Sequence, residues 1–265
     1  MLQELYPVRD EVLDRASLRP DDIVLDVGTG DGLIGFGALD RLGPGGRVIF
    51  SDVSQDLLDH CRSAADAYGQ LSRCDFVLTS ADGLDGVPDG SVDVITARSV
   101  LIYVSDKAAA FAAFRRVLRP AGRVSIFEPI NTLMQGCSGT SFFGYDLSSI
   151  AGIAAKLNAA FAAIQPPGID PMVDFDDRDL MRLAEQAGFG AVGLDLRVSV
   201  KPTQDPVDWE QFLRMSGNPN LPPLAEMIDQ VLSATEAAEF TACLRPLVEE
   251  GRGERRLAVA YLTAT

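Results

Sequence analysis

The sequence predicts an α/β fold, a doubly wound and mostly parallel sheet of seven strands, and two observations carry that expectation. The first is the stretch Val24 to Gly32, V-L-D-V-G-T-G-D-G, where a short apolar run passes an acid and then meets a glycine at every second position. A buried parallel strand breaks into a tight loop in this way. The second is the alternation after it, in which β-branched runs and helix-length segments take turns along the chain. Such alternation places helices on both faces of a parallel sheet through right-handed crossovers. A length of 265 residues suffices for one such domain with a full core.

Taken in order, Leu5 to Leu18 has helical apolar spacing, and Arg19-Pro20-Asp21-Asp22 turns the chain into the first strand. Leu33 to Leu42 reads as a helix closed by Gly43-Pro44-Gly45-Gly46, and Arg47 to Asp52 as the second strand. The pattern repeats with a helix at Gln55 to Tyr68, a strand at Asp75 to Thr79, a turn-rich piece at Ala81 to Gly90, a strand at Val92 to Ala97, a helix at Asp106 to Leu118 and a strand at Arg123 to Phe127. Asn131 to Pro171 interrupts it, with no strand signal and one helix near Ile150 to Ile164. A helix at Asp177 to Ala187 ends at Gly188, a strand covers Ala191 to Val200, and Arg256 to Thr263 is the last strand. Pro206 to Val248 between them is mainly helical, with a Pro-rich break at Asn218 to Pro223. The expectation is one domain over residues 1–265, with cap segments at 1–20, 131–171 and 206–252.

Composition excludes several partners. A formal charge of -15 and a pI near 4.4 oppose binding to nucleic acid, which needs clustered Lys and Arg. No run of about 18 apolar residues predicts a membrane span, and M-L-Q-E-L-Y has neither the basic nor the apolar region of a secretion signal. A cytoplasmic protein is expected, its oligomeric state open. Cys61, Cys74, Cys137 and Cys243 contain no C-x-x-C pair, so reduced structural thiols are expected rather than a zinc site or disulfides.

The glycine loop should face a ligand, because Gly28, Gly30 and Gly32 let backbone approach a bound molecule closely. A nicotinamide fingerprint would place its third glycine at position 33, which is Leu33. The spacing is G-x-G-x-G instead. Asp52 ends the second strand about twenty residues on, where a carboxylate can accept both hydroxyls of a ribose. Ser80-Ala81-Asp82 follows the third strand; D-V-I-T-A-R-S-V-L-I-Y-V-S-D runs from Asp93 to Asp106; R-V-L-R-P-A-G-R-V-S-I-F-E-P runs from Arg116 to Pro129. In this order the four stretches resemble the motifs of the class I S-adenosylmethionine (SAM) dependent methyltransferases, in motif detail over about the first half of the chain.

That resemblance implies a Rossmann-like methyltransferase fold and SAM as cofactor. It implies that Asp26, Gly28, Thr29 and Gly30 hold the methionyl amine and carboxylate, with Asp26 bracing the loop. Asp52 and Val53 would meet the ribose and its surroundings, and Ala81, Asp82 and Gly83 the adenine. Arg98 and Ser99 would line the methionyl end. Arg98 stands where many relatives carry a small polar residue, and binding a carboxylate or pairing with a surface acid are both open to it. Tyr6 and Arg9 are further candidates for the cofactor carboxylate, with core packing or a surface pair as the alternative.

A sulfonium methyl is a good electrophile, so the enzyme's task is to align a nucleophile and exclude water. A base is needed for some hydroxyl acceptors. The single His60 lies in a helix away from the strand ends, which leaves Glu128 as the candidate base or substrate anchor, followed by Tyr145 and Tyr103. Pairing of Glu128 with Arg98 is the structural alternative. Metal-binding members of the family carry an acid after the fourth strand and an Asp-Asn pair after the fifth; Arg98-Ser99 and Glu128-Pro129 stand here, so no metal is expected. Cysteine-based chemistry would rest on Cys137. Met134, Phe142, Phe143, Tyr145 and Phe161 of one insert and Trp209, Phe212, Met215 and Met227 of the other suit a helical lid over a flat or greasy molecule. The expected function is methyl transfer from SAM to a small molecule, O-methylation before N- or C-methylation. A cyclase that binds SAM without transferring methyl is the rival reading.

Overall fold

The computed structural model describes residues 2–134, 140–166, 168–203, 205–216 and 221–265. Cys137 and the start of the Pro-rich break, 218–220, lie outside the described residues. Seven strands form one sheet in the order β3-β2-β1-β4-β5-β9-β8. These are β1 (Ile23–Val27), β2 (Arg47–Asp52), β3 (Cys74–Leu78), β4 (Val92–Arg98), β5 (Leu118–Pro129), β8 (Val192–Pro202) and β9 (Glu254–Ala264). The pairings β1·β2, β1·β4, β2·β3 and β4·β5 are parallel, while β9 runs antiparallel to β5. The sheet is the seven-stranded, mostly parallel one that the sequence predicts.

The sequence explains the elements locally. Ile23–Val27 is almost wholly buried because neighbouring strands and helices cover both its faces. α1 (Leu2–Ala16), α2 (Leu33–Arg41) and α3 (Gln55–Ala67) pack a core of Val12, Leu13, Ala38, Leu39, Leu58 and Cys61 against Val24, Val48 and Phe50 of the sheet. Burial of the Val, Leu and Phe side chains among them contributes about 1.5–3 kcal/mol each before entropy is counted. Ser54 caps α3 by accepting the N–H of Leu57, and Asp106 caps α4 (Lys107–Val117) by accepting that of Ala109. α7 (Asp177–Gln186) opens with a capping box between Asp176 and Asp179.

The chain divides into two compact units, residues 1–129, 175–196 and 259–265 in the first, and 130–174 and 197–258 in the second. Segment 1–20 therefore falls in the first unit, and segments 131–171 and 206–252 fall in the second. The second unit holds α5 (Asn131–Met134), α6 (Ala151–Ile164), α8 (Trp209–Leu213), α9 (Leu224–Val231) and α10 (Ala234–Glu249). Its core joins Phe142, Tyr145, Leu157, Trp209, Phe212 and Phe240.

One feature overturns the expectation of no strands in the first insert. β6 (Ser141–Phe142) and β7 (Tyr145–Asp146) form an antiparallel hairpin. Its turn holds Gly144 at φ +86°, and a Cβ there would stand 1.9 Å from the carbonyl oxygen of Glu254. Only glycine admits that approach, and the Glu254 N–H donates to the Gly144 carbonyl at 2.7 Å. The hairpin is thus made by a distant stretch of chain rather than by local alternation.

Candidate active site

The parallel register brings the C-terminal ends of β1, β2, β3 and β4 to one edge of the sheet, with Val27 beside Ser51 and Ala97, and Asp52 beside Leu78. Ligands of open α/β sheets bind at such an edge. Asp26 is the anchor beneath it. Its buried carboxylate accepts the hydroxyls of Thr29 at 2.6 Å and Thr96 at 2.9 Å and the N–H of Gly35 at 3.0 Å. Burial pushes its pKa up to about 6, against the opposing pull of those three bonds and of the Arg98 charge. Asp26 therefore ties the loop, β4 and the first turn of α2 together.

Beyond it the loop turns at Gly28, where φ is +59° and a Cβ would stand 2.6 Å from a methyl of Val100. The Thr29 N–H donates to the Ser51 carbonyl at 2.9 Å, which pins the loop to β2. Gly30 faces open space, since a Cβ built there meets nothing within 4 Å. Its N–H donates to Oδ2 of Asp52 at 2.9 Å, and the Ser54 N–H donates to Oδ1 at 3.0 Å. Asp52 is 8% exposed and the next side chain, Val53, is 73% exposed. A carboxylate held by two backbone donors thus sits beside an uncovered apolar side chain.

After β3, Ala81 is buried and Asp82 and Gly83 are half-buried. The Leu84 N–H closes this turn on the Ser80 carbonyl at 2.9 Å, and the Arg116 guanidinium holds it by donating to the carbonyls of Gly83 and Leu84, each at 3.1 Å. After β4, Arg98 is half-buried. Ser99 takes a left-handed φ of +56°, and its N–H donates to the Phe127 carbonyl at 2.8 Å.

Glu128 lies beneath the rim. Its side chain is only 1% exposed, and the carboxylate points into backbone rather than toward Arg98 or the rim. Oε1 accepts the N–H groups of Val100 at 2.8 Å and Leu101 at 2.9 Å, and Oε2 that of Ile102 at 3.4 Å. Burial raises its pKa to about 7, opposed by the same N–H groups and by the charge of the buried Lys107. All three donors are backbone groups, so the carboxylate holds the turn after β4. Tyr145 is buried as well. It is 4% exposed, its ring lies edge-on to Phe212 at 5.7 Å, and a Cβ on Gly253 would meet it at 2.7 Å. It belongs to the second unit's core.

Tyr6 and Arg9 pair with each other, the guanidinium 4.6 Å from the ring centroid, and Arg9 also bridges to Asp10 at 2.8 Å. Thr96, Val100 and Arg116 escaped notice in the sequence. Thr96 left one signal, a hydroxyl inside a buried run of V-I-T-A that needs a partner.

The residues present fit SAM. A nucleoside sulfonium asks for a carboxylate at the ribose, an apolar face for the purine and a backbone-lined loop for the amino-acid end, and Asp52, Val53 and the Gly28–Gly30 loop supply those groups on one edge. Comparison with known proteins agrees. Residues 24–122 match the family model for a methyltransferase domain. Over 264 residues the chain is 28% identical to nocamycin O-methyltransferase of Saccharothrix syringae, covering 97% of this chain and 90% of that one. The ubiquinone/menaquinone C-methyltransferase UbiE of Hahella chejuensis is 34% identical over 118 residues, 44% of this chain and 46% of that one, so the chain spans about half of such relatives.

Three solved structures share the fold. The YcgJ protein of Bacillus subtilis aligns with a TM-score of 0.58 at 15% identity, over 98% of this chain and 97% of that one. Geranyl diphosphate methyltransferase in complex with SAM aligns at 0.54 and 16% identity, over 97% and 84%. The [4+2]-cyclase SpnF aligns at 0.53 and 18% identity, over 97% and 80%. Residues 24–122, which hold the glycine loop and the ends of β1 to β4, are thus similar in sequence to a methyltransferase domain, and the chain shares the fold of these proteins along nearly its whole length.

Proposed function

We propose that this methyltransferase transfers the methyl group of SAM to an oxygen of a small molecule. The observation that carries the reading is the Asp52 carboxylate at the strand ends, holding the Gly30 N–H at 2.9 Å beside the uncovered Val53. In this reading Asp52 accepts the ribose hydroxyls, Val53 covers one face of the adenine, and Ala81, Asp82 and Gly83 take its edge. Asp26, Gly28, Thr29 and Gly30 shape the loop around the amino-acid end. Arg98 and Ser99 border that end, the guanidinium opposite a carboxylate. Bound SAM supplies an electrophilic methyl on a positive sulfur.

Preference for oxygen is supported by the full-length likeness to an O-methyltransferase, whereas the C-methyltransferase relatives match over half their length. Glu128 and Tyr145 are both buried, so removal of the acceptor's proton is assigned to neither. An oxygen acid that ionises by itself near neutral pH meets that condition. Substrate choice is assigned to segments outside residues 24–122. A cytoplasmic enzyme that binds neither nucleic acid nor membrane suits the charge of -15, and no helix among the described residues is long and apolar enough to cross a membrane.

The test is incubation with methyl-labelled SAM and a panel of phenols, enols, carboxylic acids and amines. Label on oxygen with equimolar S-adenosylhomocysteine is the expected result; label on nitrogen or carbon alone would refute the oxygen preference. A second reading, a cyclase that uses SAM without consuming it, is favoured by the buried state of both candidate bases. Cyclised product without S-adenosylhomocysteine would establish it. Turnover is expected to survive EDTA, since among the described residues no group of three or more His, Cys, Asp or Glu could hold a metal ion.

A further inference from the structure

Glu128, the buried acid that the chemistry above does not use, reaches the glycine loop through one intermediate. Ser99 leaves β4 with φ +56°, a conformation that costs an L-residue about 1–2 kcal/mol. This turn presents the next three N–H groups, those of Val100, Leu101 and Ile102, to one carboxylate at 2.8, 2.9 and 3.4 Å. The Ser99 N–H is itself tied to the Phe127 carbonyl, next to Glu128 in sequence. Charge-assisted bonds of this type are about twice as strong as neutral ones. They hold a turn whose first side chain, Val100, lies against Gly28: its Cγ2 is 2.6 Å and its Cγ1 3.2 Å from the place a Gly28 Cβ would occupy. Gly28 in turn sets the path of the loop up to Gly30, whose N–H meets Asp52. The buried Lys107, bonded to the Val104 carbonyl at 2.9 Å, keeps a positive charge near the carboxylate.

We propose that Glu128 is a positioning residue for SAM binding: its carboxylate clamps the Ser99–Ile102 turn so that Val100 fixes the Gly28–Gly30 loop in its cofactor-binding shape. The proposal rests on the reading of that loop as the SAM site. It makes Glu128 act on cofactor affinity through Val100, not on the proton of the acceptor.

The test measures SAM affinity by calorimetry, kcat and KM for SAM, and Tm for Glu128→Gln, Val100→Ala and the double variant. Gln keeps the volume and one acceptor oxygen but turns an amide N–H₂ toward the Ile102 N–H. Expected for Glu128→Gln is a Kd and KM for SAM raised about tenfold, with kcat at saturating SAM within about threefold of wild type. Val100→Ala should raise Kd several-fold, and the double variant should do no worse than Glu128→Gln alone, because both act through one contact. A kcat lowered a hundredfold at unchanged Kd would overturn the proposal in favour of a base, and a lowered Tm with unchanged Kd would overturn it in favour of packing alone. Additive effects on Kd would also overturn it. Should Glu128→Gln fail to fold, an unchanged Kd in Val100→Ala would still do so. Failure of the cofactor reading is distinguishable, since the wild type would then bind no SAM or Asp52→Ala would bind it normally.

Discussion

Asp52 at the end of β2 accepts the N–H of Gly30 through Oδ2 at 2.9 Å, and this bond joins the two halves of the proposed cofactor site. The same carboxylate accepts the Ser54 N–H through Oδ1, so its direction is fixed before any ligand arrives. Asp52→Ala removes both the proposed ribose acceptor and the brace of the loop. SAM affinity is expected to fall by about 2 kcal/mol or more, roughly thirtyfold, with the fold retained. Calorimetry on the folded variant checks this, and wild-type affinity would remove Asp52 from the site.

Two buried carboxyls make stability depend on pH in an unusual direction for acids. Burial raises Asp26 from 3.8 to about 6 and Glu128 from 4.5 to about 7. A raised folded-state pKa means that the native state holds the proton longer than the unfolded chain does. The contribution is complete below the unfolded values and is lost as pH rises through the folded ones. The ligand-free protein should therefore lose thermal stability between about pH 5 and pH 7.5. The carboxylates of Asp179 and Glu236, whose pKa values are lowered, titrate below that window and do not oppose the trend. Glu128→Gln should flatten part of the slope. A wild-type Tm that rises across the window, or a variant with the full slope, would contradict the assignment.

The strand and helix order was legible because burial on both faces leaves unbroken apolar runs, and the loop was legible because glycines at alternate positions have few other uses. Glu128 shows where legibility stops. Its place at a strand end could be read, but the direction of its carboxylate depends on the left-handed Ser99, and serine does not announce that conformation. The aromatic residues of the inserts were ambiguous for a different reason: apolar side chains that cover a ligand and those that cover each other have the same composition. Tyr145, Trp209 and Phe212 belong to the second kind.

The irregular start of β5, where the register with β4 shifts, offers a local test. The family's Pro-Gly turn is Pro-Ala-Gly here, and Ala121 carries a left-handed φ of +63° with its side chain exposed. Relief of that strain by glycine is worth about 1–2 kcal/mol, offset in part by the larger entropy of glycine in the unfolded chain. Ala121→Gly should be neutral to about 1 kcal/mol stabilising, and Ala121→Val, β-branched at positive φ, destabilising by about 1 kcal/mol or more. Denaturant midpoints give the order, and a valine variant as stable as the glycine one would mean that the turn is not strained.

The second unit supplies the last test, because its aromatic cluster separates a structural role from a chemical one. Trp209 and Phe212 stack at 5.9 Å with planes 19° apart, and Tyr145 meets Phe212 edge-on at 5.7 Å. All three are buried among Phe142, Leu157, Phe240 and Leu244. Cutting any of them to Ala leaves a large cavity and should cost about 3–5 kcal/mol of stability. Loss of activity in such variants would therefore say nothing about substrate contact. Tyr145→Phe keeps the ring and removes only the hydroxyl, whose pKa burial has raised further above neutrality. It should keep Tm within a few degrees and kcat within about threefold, since a phenol with a raised pKa is almost wholly protonated near neutral pH and offers little phenolate to accept a proton. A hundredfold fall in kcat in a folded Tyr145→Phe enzyme would return the proton-transfer role to Tyr145 and withdraw the requirement that the acceptor ionise by itself.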